Sequence, residues 1–142
     1  MTVKEWLSRY KTAWKEAEDV EQRLTHIRLK YARPSAIVYS DMPKAHTQSD
    51  LSDYAAQVEK YETILVGKYS KCIGIEVETY QMIDKLQNTE ERKVLREYYI
   101  DGRKWSDIAN DIPCALRSVH RIHGRALLHM RETLIDNGVD IR

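Results

Sequence analysis

Arg117, Arg121 and Arg125 recur at every fourth position of the stretch LRSVHRIHGRALLHMR, residues 116–131. Residues four apart on a helix are neighbours on one side, so the three guanidinium groups form a single stripe. Ser118 and His120 flank it near the N-terminal end. Between Pro113 and Arg131 there are four arginines, three histidines and no acidic residue, whereas the whole chain carries a net charge of only +1. Guanidinium reaches phosphate oxygens and pairs bidentately with guanine in the major groove, so the chemistry on offer is recognition of duplex DNA. A merely solvated basic face is the plain alternative for such a run. The overall charge does not argue for nucleic acid, and the case rests on local distribution.

Other chemistry finds little support in the residues. His120 and His123 lie three apart, but no carboxylate or cysteine at helical spacing completes the three or four ligands that zinc requires, so no metal is expected. His120 is expected to face DNA and His123 to sit at the helix edge against the preceding helix; His26 and His46 carry no inference. Cys72 and Cys114 form no CxxC pair, which predicts two reduced thiols in packing roles. There is no glycine-rich phosphate loop or nucleophile elbow, and the carboxylates are scattered over polar helix positions. An enzyme, a cofactor and a small-molecule substrate are therefore not expected.

The stripe needs a frame to present it. A short helix starts near Trp105 with Ile108 and Ala109 turned inward. A turn follows at Ile112-Pro113-Cys114, and then a longer helix with Val119 and Ile122 inward. This is the pattern of a helix-turn-helix, in which a small residue at the crossing lets two helices approach and branched side chains lock their angle. Ile108, Ala109, Ile112, Val119 and Ile122 are its predicted core. Upstream, Asn88-Thr89-Glu90-Glu91 offers a cap with glutamate three residues on, the reciprocal box that satisfies two free backbone donors. The helix it opens presents Val94, Leu95, Tyr98 and Tyr99 and closes at Asp101-Gly102.

The first 87 residues have a different grammar. Trp6, Tyr10, Ala13, Ala17, Val20, Leu24, Ile27 and Tyr31 alternate spacings of four and three, a heptad seam on one long helix. Arg33-Pro34 ends it. A linker over residues 33–50 lacks periodicity and exceeds the usual helix connection. Asp50 can cap a second long helix with the seam Leu51, Tyr54, Val58, Tyr61, Leu65, Cys72, Ile75, Met82 and Leu86, where Lys68 and Thr79 also fall on seam positions. Gly67 and Gly74, seven apart, mark either a smooth flank for another helix or a soft stretch. The two helices predict an antiparallel, coiled-coil-like hairpin. Trp14, Tyr69 and Tyr80 are left over for a third helix or a second copy of the chain.

The fold class is thus all-α: residues 1–87 as a helical hairpin for dimerisation or partner docking, residues 88–136 as a three-helix DNA-binding domain, and residues 137–142 as a tail. No apolar run is long enough for a signal peptide or a membrane span, and a cytoplasmic location is expected.

The stretch ERKVLREYYIDGRKWSDIANDI, followed by RSVHRIHGRALLHM, resembles the region of sigma factors that reads the upstream promoter element. With SDMPK and RIHGRAL included, most of the chain looks like a family of small sigma-like proteins of phages and prophages of Gram-positive bacteria, near the ArpU and RinA late-gene regulators. The resemblance implies a DNA-binding transcriptional regulator that touches RNA polymerase. Its recognition-helix positions fall on Arg117, Ser118, His120 and Arg121, with Leu116 able to meet a thymine methyl. Two features depart from the sigma-like pattern: Pro113 stands in a turn that favours glycine, and Lys104 and Ala115 occupy positions that favour serine or threonine caps. A small terminase-like protein that recognises packaging DNA, and a helical module that binds polymerase or a host regulator without DNA, remain as alternatives.

Overall fold

The computed structural model describes residues 1–32, 48–112 and 115–142. The Arg33-Pro34 helix stop, most of the 33–50 linker with SDMPK and His46, and Pro113 and Cys114 lie outside the described residues. The described chain is all-α, in the order α1 (Val3–Leu7), α2 (Arg9–Ala32), α3 (Gln48–Asp84), α4 (Thr89–Leu95), a π-helical turn (Arg96–Ile100), α5 (Trp105–Asp111) and α6 (Leu116–Asp136). No helix among the described residues is long and apolar enough to cross a membrane.

The chain divides into two compact units, residues 14–70 and residues 1–13 with 71–142. In the first, side-chain pairs join α2 to α3 with numbers that climb on one helix as they fall on the other. Tyr69 donates to Glu21 Oε2 at 2.6 Å. Further along, Arg28 bonds Glu62 at 2.5 Å and Tyr31 stacks on Tyr54 at 3.9 Å. The two stretches are therefore antiparallel. Ala17 and Leu24 are buried on the seam, but Leu51 departs from it and is 47% exposed. Asp50 lies inside the first turn of α3 rather than capping it, because the helix begins at Gln48. A Cβ on Gly67 would meet nothing within 4 Å, and the same holds in the other unit for Gly74, so no contact within the chain demands either glycine. Of the leftover aromatics, Trp14 Nε1 donates to Glu18 at 2.9 Å, and Tyr80 lies beneath the Arg96 guanidinium at 5.5 Å.

The second unit has two adjoining apolar clusters. One gathers Val3, Trp6, Leu7, Ile83, Leu86, Leu95, Tyr99, Ala126, Met130, Leu134 and Ile141. The other gathers Val94, Ile108, Ile112, Val119 and Ile122, with Tyr98, Trp105 and Ala109 packed against them. The packing therefore does not break at residue 87, the boundary expected between hairpin and DNA-binding domain. Nor is 137–142 a loose tail. Gly138 takes φ +81°, Val139 N–H donates to the Leu134 carbonyl at 2.9 Å, and Ile141 enters the first cluster.

Two local devices differ from the expected ones. The first helix is interrupted at Ser8, where α1 ends, and Arg9 donates from Nε to the Trp6 carbonyl at 3.0 Å. At the start of α1, Thr2 and Glu5 form the reciprocal capping box. At α4 only half of such a box exists: Asn88 Oδ1 accepts from the Glu90 and Glu91 backbone at 2.9 and 3.2 Å, while the Glu91 side chain turns to His129 instead. Past the π-helical turn, Gly102 adopts φ +70°, the left-handed conformation expected of it.

Met130→Ala or Leu134→Ala should lower unfolding free energy by about 2–5 kcal/mol in urea titrations. Leu128→Ala on the opposite, 66% exposed side of α6 should change it by no more than about 0.5 kcal/mol. Asn88→Ala should cost about 1 kcal/mol.

Candidate nucleic-acid interface

Helices α5 and α6 form the candidate reading frame. Ile108, Ile112, Val119 and Ile122 are buried together, and Ala109 is half-buried against them. All five predicted core residues thus meet in one cluster. Neither Lys104 before α5 nor Ala115 before α6 makes a side-chain cap, in keeping with their residue types. What holds the α5 end is Arg103, which pairs with Glu97 at 3.1 Å and with Asp111. That hydrogen bond from Arg103 holds the Asp111 carboxyl below the usual carboxylate range.

On the outer side of α6, Leu116, Arg117, His120, Arg121 and Arg125 are exposed and Ser118 is half-buried. Among the described residues, no carboxylate forms an ion pair with Arg117, Arg121 or Arg125. His120 packs at 5.1 Å from the Trp105 ring, which steadies it beside the arginines. The inward face explains why the arginines must point out. Val119, Ile122, Ala126, Met130 and Leu134 all lie on the buried side of the same helix.

His123 belongs to that inward side, as the edge position against the preceding helix predicts. Its Nε2 shares a hydrogen bond with the Tyr99 hydroxyl at 2.9 Å, and its ring lies 4.6 Å from Trp105. Burial, then the nearby positive charge of Lys4, then His120, push its pKa down to about 4. Burial also pushes the Tyr99 hydroxyl up to about 12. Both partners are therefore neutral near pH 7, and no charge is carried into the core between the two clusters.

No family model, curated protein or solved structure matches the chain. The functional reading accordingly rests on the residues themselves. Among the described residues no group of three or more histidines, cysteines, aspartates or glutamates is placed to hold a metal ion.

Three polar residues beside the stripe escaped the sequence reading. Glu91 is 2% exposed and its Oε2 lies 2.7 Å from His129 Nδ1. Lys85 bonds Asn137 nearby. Lys85, Glu91, Arg125, His129 and Glu132 line a cavity of about 660 Å³. One signal was available for His129: it falls four residues after Arg125, on the same row. Glu91 was hidden by its fit to the capping-box pattern.

A lowered histidine pKa fixes the sign of the acid response. The unfolded chain binds a proton at His123 near pH 6.5, the folded chain only near pH 4, so this contribution is intact above about pH 6.5 and is lost as pH falls towards 4. The loss should be on the order of 3 kcal/mol. Urea titrations across that window should show it in the wild type and not in His123→Gln.

Proposed function

We propose that this chain is a phage-type, sigma-like transcriptional regulator that binds duplex DNA by inserting the N-terminal half of α6 into the major groove. The observation that carries the reading is the exposed row Arg117, Arg121 and Arg125, without ion-pair partners among the described residues, on a helix whose opposite face is locked into the core. A groove about 12 Å wide admits one helix, and the N-terminal residues of such a helix meet the base edges. Arg117 and Arg121 take base edges or phosphates, Ser118 and His120 lie beside them, and Leu116 meets a thymine methyl. Arg125, one turn beyond Arg121, serves the backbone. In this reading the protein acts in the cytoplasm, touches RNA polymerase, and carries out no chemical reaction of its own.

A second reading draws on α3, where Ile73, Val77 and Tyr80 are exposed along one face at spacings of four and three. It makes the chain a protein-interaction module that holds polymerase, a host regulator or a second copy of itself without DNA. A packaging-type protein would instead assemble many copies into a ring, which mass measurement in solution distinguishes from a monomer or dimer.

Gel shifts with duplex DNA at rising salt test the main proposal. Binding should weaken steeply with salt, because each phosphate contact releases counterions. Arg117→Ala and Arg121→Ala should each weaken binding about tenfold or more, the worth of one good bidentate contact. Wild-type affinity in both variants would defeat the proposal.

A further inference from the structure

The row of basic residues on α6 does not end at Arg125. Four residues advance a helix by about 40° beyond a full turn, so a row at every fourth position winds slowly around the cylinder. From Arg117 through Arg121 and Arg125 to His129 the row turns through about 120°. Its start faces outward, and its end comes round to the flank of α6, where Arg125 and His129 line the cavity with Lys85. A helix lying in the major groove has base edges before it and a sugar-phosphate wall on its flank. The winding of the row thus carries it from one to the other.

Resting on the DNA-binding reading above, we infer that Arg125, His129 and Lys85 form a clamp for a backbone phosphodiester at the wall of the groove. His129 is the pivot. Its Nδ1 is fixed at 2.7 Å from Glu91 Oε2, and Glu91 is itself 2% exposed, so the carboxylate is a rigid buried anchor, while His129 is 54% exposed. With one ring nitrogen donating to Glu91, the other is left to donate to a phosphate oxygen, and a ring bridging two anions carries both protons. Lys85 spends one ammonium donor on Asn137 and keeps the others. Arg125 contributes its planar set of donors. The charged groups around His129 are Glu91 on α4, Lys85 after α3, and Arg125 and Glu132 on α6. Glu132 opposes the phosphate, so its removal should help binding.

The test measures binding of a mixed-sequence DNA duplex against salt, with thermal melts to confirm that each variant is folded. Arg125→Ala, Lys85→Ala and His129→Gln should each lower the salt slope by about 0.9, the loss of one phosphate contact. Glutamine keeps a donor for Glu91, so the fold survives that change. Glu132→Gln should bind more tightly than wild type. Glu91→Gln should lower the salt slope as well, whereas a purely structural role for Glu91 would lower only the melting temperature. If Arg121→Ala weakens binding while the three clamp variants keep the wild-type slope, the clamp is wrong and the groove reading stands. If the wild type fails to bind duplex DNA even at low salt, the groove reading falls and takes the clamp with it.

Discussion

A single buried face on α6 serves two cores at once, and that constraint governs the rest of the structure. Val119 and Ile122 close the cluster made with α4 and α5, while Ala126, Met130 and Leu134 close the cluster made with α1, the end of α3 and the π-helical turn. Each large apolar side chain gains about 1.5–3 kcal/mol from burial, so the roughly four turns from Val119 to Leu134 share one preferred rotation. Turning α6 by one residue position would expose part of that face and carry arginines inward, where an unpaired charge costs far more than any one contact returns. The orientation of the basic row is thus a consequence of core packing and needs no interaction of its own.

Each buried polar group described in this unit has a hydrogen-bond partner. His123 and Tyr99 meet at the junction as a neutral pair, which spares the core the cost of a buried charge. Thr79, fully buried on α3, returns its hydroxyl proton to the Ile75 carbonyl at 2.7 Å. Glu91 is the costly member, a carboxylate nearly out of solvent, and the imidazole of His129 is its side-chain partner. Breaking such a pair leaves an uncompensated charge, which ordinarily costs several kcal/mol. A bare capping glutamate, expected at this position from the sequence, would have lain at the surface with no such demand.

Helical periodicity made the local facts legible. The buried positions Ala13, Ala17 and Leu24 on α2, the core of α5 and α6 and the glycine stop at Gly102 follow from spacing and residue type and are found in the structure, although the helix read as continuous from Trp6 breaks at Ser8. What periodicity cannot express is which partner a face meets. Trp6 reads as the start of a seam against the second long helix, yet together with Val3 and Leu7 it joins a cluster with Met130 and Leu134, more than a hundred residues away. Ile141 sits in a short polar ending with no period of its own, and its burial depends on the positive φ of Gly138 and the backbone bond from Arg142 to Met1 at 3.0 Å. Glu91 satisfied a local rule so well that its distant partner went unread. The candidate site divides the same way: the exposed arginines were evident, and the cavity beside them, made by residues 85–91 and 125–133 together, was not.

Three histidines on α6 show how position, rather than residue type, assigns roles along one helix. His120 lies on the outer side against Trp105, His123 is buried beside Tyr99, and His129 is held by a buried carboxylate. They fall at spacings of three and six, so they point in different directions from a common axis, and each meets a different electrostatic environment. Only the first and third share a surface with arginine. A chain with one excess positive charge overall can therefore present a strongly basic row, because its acids are kept off residues 113–131 and the one carboxylate brought there from α4 is buried behind an imidazole. Local exclusion of acids, enforced by a helix that cannot rotate, does what net charge does not.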